Sequence, residues 1–245
     1  MQKERPEAYT SLADWFEKLN DDCGYEEWSQ YLYHRLSALL PLGAKGIDIG
    51  CGSGYFTRTL KRAGYAMTGM DVSLPMLQKA EQLSQKERIP YLQADVTSFR
   101  LPEKMDFAVA INDCMNYVKK EKALSAFKRV FASLKKGGYF LFDISSENKL
   151  RRKVGGQLSV DDREDVTYLS VNTLEQDAVT MDVTLFVKQK NGYFSRFDER
   201  HLLYIYTEEE ILSALSQAGF AVLDVCGHLG EEKATSDRLE FLCQK

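Results

Sequence analysis

The chain has 245 residues, 44% of them hydrophobic and 28% charged, with a formal net charge of −4. That is room for one large domain, or one domain with an insertion, and no apolar run reaches membrane-spanning length. The acidic balance weighs against avid, nonspecific binding to nucleic acid, and five cysteines without a C-x-x-C pair, behind a polar Met1-Gln2-Lys3-Glu4-Arg5 start, fit a reduced cytoplasmic protein with no secretory leader.

Apolar residues at helical spacing predict two N-terminal helices, over 8–20 (Tyr9, Leu12, Trp15, Phe16, Leu19) and over 25–40 (Trp28, Tyr31, Leu32, Leu36, Leu39, Leu40). Asn20-Asp21-Asp22 divides them, and Pro41 with Gly43 ends the second. Strands and helices then alternate: strands over 45–49, 66–70, 90–92, 105–111 and 138–143, helices over 54–63, 74–85 and 121–134. Alternation of this kind predicts a parallel sheet covered by helices on both faces. Residues 145–163 are charged and contain glycine, and are expected to form a loop or hinge. Three runs rich in Val, Thr, Tyr and Phe follow, over 165–173, 178–189 and 193–206. Val179, Met181, Val183, Leu185 and Val187 alternate with the period of a half-buried strand, and Asn191-Gly192 marks a hairpin. These runs predict a small antiparallel insertion. A helix over 207–218, opened by Thr207 with Glu210 three residues on and closed by Gly219, leads to strands over 220–226 and 238–243.

The most informative stretch is Ile47-Asp48-Ile49-Gly50-Cys51-Gly52-Ser53-Gly54, a short strand running through three alternating glycines into a helix. Glycine lets backbone come close to a ligand, and the helix start offers unpaired N–H groups. Asp71, at the tip of the next strand, suits the two hydroxyls of a ribose. A nucleoside-bearing cofactor is therefore expected. It is not a dinucleotide: the spacing is G-x-G-x-G, and Tyr55 stands where the third glycine of that fingerprint would be. The lysine-bearing phosphate loop is absent too. Asp48 would repel a phosphate but could pair with a cationic or amine-bearing ligand.

Asp48 to Gly54 resembles the first motif of class I S-adenosylmethionine-dependent methyltransferases, and Asp71 matches their ribose-binding acid. Gln93-Ala94-Asp95-Val96 resembles the segment that approaches the adenine amino group, and Lys135-Lys136-Gly137-Gly138-Tyr139-Phe140 the turn into the fifth strand. Together these cover roughly residues 45–143. Tyr9-x-x-x-Ala13, Asp21-Asp22-x-x-Tyr25-x-x-Trp28 and Asp113-Cys114-Met115-Asn116-Tyr117 are similar to a bacterial branch acting on uncharacterised substrates, and His201-Leu202-Leu203-Tyr204 to amino-sugar N-methyltransferases. The resemblance implies a doubly wound α/β fold, a seven-stranded, mostly parallel Rossmann-like sheet built from 1–144 and 207–245. It also implies an N-terminal helical cap (1–42) and an antiparallel β insertion over 145–206 forming a lid. The implied activity is methyl transfer from S-adenosyl-L-methionine to N or O of a small-molecule acceptor, with RNA or protein methylation, or a non-catalytic cofactor-binding module, as the alternatives. The segment after the fourth strand lacks the D/N-P-P-Y pattern of nucleic-acid amino methyltransferases.

On this reading Gly50, Cys51, Gly52 and Gly54 shape the methionine side of the site and Asp48 approaches its amino end. Asp71 takes the ribose, Val72 and Met76 flank the adenine, and Ala94, Asp95 and Val96 meet its edge. Asn112, Asp113 and Tyr117 stand between cofactor and acceptor. Tyr9 and Trp28, with Tyr25, either close over the cofactor or pack as plain core. Asp113 is open to three roles: contact with the methionyl amine, orientation of the acceptor, or capping a helix near 120. His201 could accept a proton from an amine or hydroxyl, or be a structural histidine in an apolar strand. His201 and Asp113 are the candidate catalytic residues. No histidine or carboxylate grouping has ligand-like spacing, so no metal is expected.

Overall fold

The computed structural model describes residues 8–245, so the first seven residues of the expected cap lie outside the described residues. In chain order the elements are α1 (Phe16–Leu19), α2 (Tyr25–Ser37), β1 (Lys45–Ile49), α3 (Tyr55–Arg62), β2 (Ala66–Asp71), α4 (Leu74–Leu83), β3 (Tyr91–Gln93), β4 (Met105–Ala110), α5 (Ala123–Ser133) and β5 (Leu134–Ser145). Then come α6 (Glu147–Lys149), β6 (Leu158–Asp162), β7 (Val166–Leu174), β8 (Ala178–Lys188), β9 (Phe194–Tyr204), α7 (Glu208–Ala218), β10 (Ala221–Gly227) and β11 (Arg238–Gln244).

Seven strands form one sheet in the order β10-β11-β5-β4-β1-β2-β3. β5, β4, β1, β2 and β3 run parallel, and β11 runs against both of its neighbours. β4 explains why both faces are covered. Ala108 and Ala110 point into one core with Phe127 of α5 and Leu215 of α7, while Phe107 and Val109 point into another with Trp28 and Leu32 of α2 and Leu60 of α3. Strands buried on both sides read as continuous apolar runs. The chain leaves β1 for β2 on one side and reaches β4 on the other, so a crevice opens at the carboxyl ends of β1 and β4, where ligands of such sheets bind.

The insertion is a separate antiparallel sheet in the order β6-β7-β8-β9. It has one strand more than expected, because β6 falls in the stretch read as a loop. Leu158 and Val160 of β6 are both exposed, so this edge strand buries little and left no alternating signal. The same stretch also holds α6 and one turn of π-helix over Leu150–Val154. The turn at Asn191-Gly192 and the capping box of α7 form as read: Gly192 has φ +84°, and Thr207 and Glu210 exchange hydrogen bonds of 3.2 and 2.9 Å.

The continuous helix expected over 8–20 does not form. Its residues make a 3₁₀ turn over Leu12–Asp14 and the single turn α1. Tyr9 has φ +61°, which breaks a helix, and the carboxylate of Glu199 takes the N–H groups of Tyr9 (2.8 Å), Ser11 and Leu12 (2.7 Å). The apolar side chains at helical spacing pack instead on the insertion, where Leu12 joins Val166, Val183 and Leu185. No helix among the described residues is long and apolar enough to cross a membrane.

Candidate active site

The glycine turn sits at the carboxyl end of β1, beside Asp71 at the end of β2. Gly50, Gly52 and Gly54 have φ of +67°, +55° and +80°, the left-handed region that a side chain resists. A Cβ at Gly50 would also run into Cys114 Sγ, and one at Gly54 would come within 2.6 Å of Tyr91 Oη. Gly52 N donates to Asp71 Oδ2 at 2.8 Å and Ser73 N to Oδ1 at 2.8 Å. The carboxylate is thus fixed with lone pairs to spare. Burial pushes it above the ordinary range, and the N–H groups of Ser73 and Gly52 pull it back. Asp48 lies beneath the turn and accepts a 2.5 Å hydrogen bond from Thr57 Oγ1. Burial, with Asp71 adding to it, pushes Asp48 up to about 7 against the pull of Thr57.

A cavity of about 380 Å³ opens over this turn. Asp48, Gly50, Cys51 and Gly52 line one end; Asp71, Val72, Met76, Ala94, Asp95 and Val96 line the other. Tyr9, Asn112 and Tyr117 line it as well. Asp95 is exposed, with Oδ1 held by Thr97 N and Oγ1 at 2.7 Å each. The chemistry of the cradle suits a nucleoside carrying an amine: a carboxylate at the tip of β2, a second carboxylate at the glycine turn, and glycine backbone beside them.

Four expected site residues do not face this cavity. Gly54 shapes the turn from behind. Trp28 is buried between Phe56 and His228, with the Arg238 guanidinium 4.7 Å from its ring centroid, so it packs rather than covers. Asp113 points away, into a buried ionic cluster that also departs from the helix-capping role. Arg238 Nη1 donates to Asp113 Oδ1 at 2.5 Å and to Asp143 Oδ1 at 2.8 Å, and Ser145 Oγ donates to Asp113 at 2.8 Å. Burial opposes charge on both acids. Arg238 and Lys149 nevertheless hold Asp113 below the usual carboxylate range, whereas burial lifts Asp143 to about 6. His201 is 3% exposed and stands behind Tyr117, whose Oη lies 3.0 Å from His201 Nδ1.

The structure adds partners that the sequence did not single out, Asp143, Arg238 and Glu17. Asn112 and Asp113 both have φ +66°, and both N–H groups end on Asp143, at 2.7 and 2.9 Å. Arg238 Nη2 donates to Asn112 Oδ1 at 2.9 Å, and Asn112 Nδ2 to Tyr25 Oη at 2.8 Å. A carboxylate closing β5 and a cation opening β11 were the available signals, but only topology brings them together. Glu17 accepts from Ser53 Oγ and Arg58 Nη2, each at 2.6 Å, which ties α1 to the glycine turn. Phe16, Tyr55, Lys119 and Lys122 also line the cavity.

Residues 47–138 match the family model described as a methyltransferase domain. YqeM of Bacillus subtilis (strain 168), which its name places provisionally among the methyltransferases with no acceptor stated, is 31% identical over 246 residues, covering 97% of each chain. A crystal structure of an S-adenosylmethionine-dependent methyltransferase from Clostridium acetobutylicum ATCC 824 superposes with a TM-score of 0.87 at 26% identity, over 96% of this chain and 98% of that one. The chain is a class I S-adenosylmethionine-dependent methyltransferase. Its cofactor is S-adenosylmethionine. The methyltransferase also shares its fold with the sugar N-methyltransferase KedS8 of Streptoalloteichus sp ATCC 53650, at a TM-score of 0.78 and 18% identity, over 98% of this chain and 94% of that one.

Proposed function

We propose that this methyltransferase methylates a nitrogen or oxygen of a small-molecule acceptor in the cytoplasm. The observation that carries the reading is the wall of the cavity the cofactor would occupy: Tyr9, Phe16, Tyr25, Tyr55 and Tyr117 line a space of about 380 Å³ with aromatic side chains, which leaves a bulky acceptor little access to the methyl group. Sites of this size and lining suit small ligands. The N-terminal segment supplies two of those residues and is fastened to the insertion through Glu199 and to the glycine turn through Glu17, so the pair serves as a lid. The fold shared with a sugar N-methyltransferase supports the same substrate class.

In this reading Asp71 takes the ribose hydroxyls and Asp48 faces the methionyl ammonium. Gly50, Cys51 and Gly52 border the methionine, Val72 and Met76 the adenine faces, and Ala94, Asp95 and Val96 its edge. Gly54 sets the turn. Asn112 and Tyr117 stand on the acceptor side. When bound, the cofactor supplies a methyl group on a sulfonium, already a good leaving group. The protein's part is to orient the acceptor and exclude water.

The test is calorimetry with S-adenosylmethionine, S-adenosylhomocysteine and NAD, followed by a label-transfer panel from methyl-tritiated cofactor. Amino sugars, alkyl amines, hydroxy acids, bulk transfer RNA and protein extract are the acceptors. Label in a small molecule supports the reading. Label only in RNA or protein refutes it, and cofactor binding without any transfer identifies a non-catalytic module.

A further inference from the structure

Four polar side chains run in a row from the cavity wall into the insertion. Tyr9 Oη lies 2.8 Å from Tyr117 Oη, and Tyr117 Oη lies 3.0 Å from His201 Nδ1. His201 Nε2 makes no hydrogen bond among the described residues and faces Glu199 Oε2 at 3.4 Å. Both tyrosines line the cavity, while His201 and Glu199 are 3% and 1% exposed. The row joins three elements that are remote in sequence: the N-terminal segment, the 3₁₀ turn Cys114–Tyr117 and β9.

The direction of the row follows from its buried end. Glu199 already accepts the N–H groups of Tyr9, Ser11 and Leu12, an environment that favours a carboxylate. A carboxylate facing Nε2 favours the tautomer with its proton there, leaving Nδ1 as an acceptor. Tyr117 then donates to Nδ1, and Tyr9 donates to Tyr117. Every donor points away from the cavity. We propose that this row is a proton relay in which Tyr117 receives the proton released by the acceptor and passes its own to His201 Nδ1, with Glu199 steadying the imidazolium. The proposal rests on the small-molecule reading for the identity of the acceptor.

For an amine the balance is simple. The N–C bond forms as the methyl–sulfur bond breaks, and that electron pair stays on sulfur. The new ammonium then gives one proton to Tyr117 Oη while the phenolic proton moves to His201, so no charge is left on oxygen. Tyr117 is the catalytic residue; His201 and Glu199 act through it. Burial, joined by Asp113, Tyr168 and Asp71, raises the Tyr117 phenol against the pull of the hydrogen bond from Tyr9, and moving both protons together avoids a tyrosinate. Among the described residues, Tyr9, Tyr117 and Glu199 are the titratable groups in contact with His201, Tyr168 of β7 acts electrostatically on Tyr117 and Glu199, and Met181 is the partner of His201 across β8.

The experiment is nitrogen-15 NMR of the histidine-labelled full chain saturated with S-adenosylhomocysteine, near neutral pH. The expected result is a neutral His201 ring protonated at Nε2, whose Nδ1 resonance moves to that of an unbonded nitrogen in Tyr117→Phe. An Nδ1–H tautomer, or a permanently doubly protonated ring, overturns the relay. For any small acceptor found in the tritium panel, Tyr117→Phe and His201→Gln lower kcat roughly 100-fold or more. His201→Gln leaves the affinity for S-adenosylhomocysteine unchanged, and both variants remove the acid limb of the pH profile. Unchanged kcat in both overturns the relay as well. If no small molecule takes label, the small-molecule reading fails, and the nitrogen resonances still decide the relay.

Discussion

Asp48 couples the stability of the fold to pH and, through its proposed place beside the methionyl ammonium, to ligand binding. It is 2% exposed, and burial lifts it from 3.8 to about 7. The folded chain therefore holds this proton more tightly than the unfolded chain does. The stability it contributes is complete below the unfolded pKa and is lost as pH rises through about 7. A shift of that size corresponds to about 4 kcal/mol in total, of which about 2–3 kcal/mol disappears between pH 5 and pH 8. Asp48→Asn keeps an oxygen for the Thr57 hydroxyl but cannot ionise. Urea unfolding of both proteins at these two pH values, at constant ionic strength, should show wild type losing about 2–3 kcal/mol more than the variant, or about 5–10 °C in Tm. Parallel losses in the two proteins would refute the assignment of the buried proton. Calorimetry on the same variant should show weaker S-adenosylhomocysteine binding, because the neutral amide cannot pair with an ammonium.

Asp71→Ala strips the partner from Gly52 N and Ser73 N along with the proposed ribose acceptor. Its Kd for S-adenosylhomocysteine should rise about 10- to 100-fold, from roughly 1.5–3 kcal/mol of charged hydrogen bonding, and an unchanged Kd removes Asp71 from the site. Arg238→Met leaves the buried Asp143 and the half-buried Asp113 without the guanidinium bonded to both, with only Lys149 nearby, which costs about 3–5 kcal/mol. Because the bare carboxylates can take protons, that loss should shrink between pH 8 and pH 5; a pH-independent loss contradicts the ionic account. Glu199→Gln removes the charge that gathers the N–H groups of Tyr9, Ser11 and Leu12. Trypsin should cut faster after Lys18, and an unaltered cleavage rate argues against this anchor.

The sheet and the glycine turn were legible because their signals are local. Ile47 to Gly54 carries strand period, glycine spacing and helix onset in eight adjacent residues, and Asp71 ends the next strand. The N-terminal segment was misread because Leu12, Phe16 and Leu19 keep helical spacing while packing on a sheet that forms far later in the chain. β6 was missed because an exposed edge strand has no buried face to mark it. Asp113 and His201 stand near the cavity in sequence terms, but the partners that turn them from it, Arg238, Tyr117 and Glu199, are fixed by tertiary pairing.

A strand running against its neighbours starts where they finish. β11 is the reversed strand of the main sheet, so its first residue, Arg238, arrives at the edge where β1, β4 and β5 end. An all-parallel sheet would deliver the last residue of a strand there instead. During synthesis the glycine turn, Asp71 and the Asn112 corner all emerge long before residue 238, as do the two acids this arginine neutralises. The pocket therefore matures from the far end of the chain, and a ribosome-bound intermediate lacking β11 would carry an unpaired acidic pair under an unfinished site.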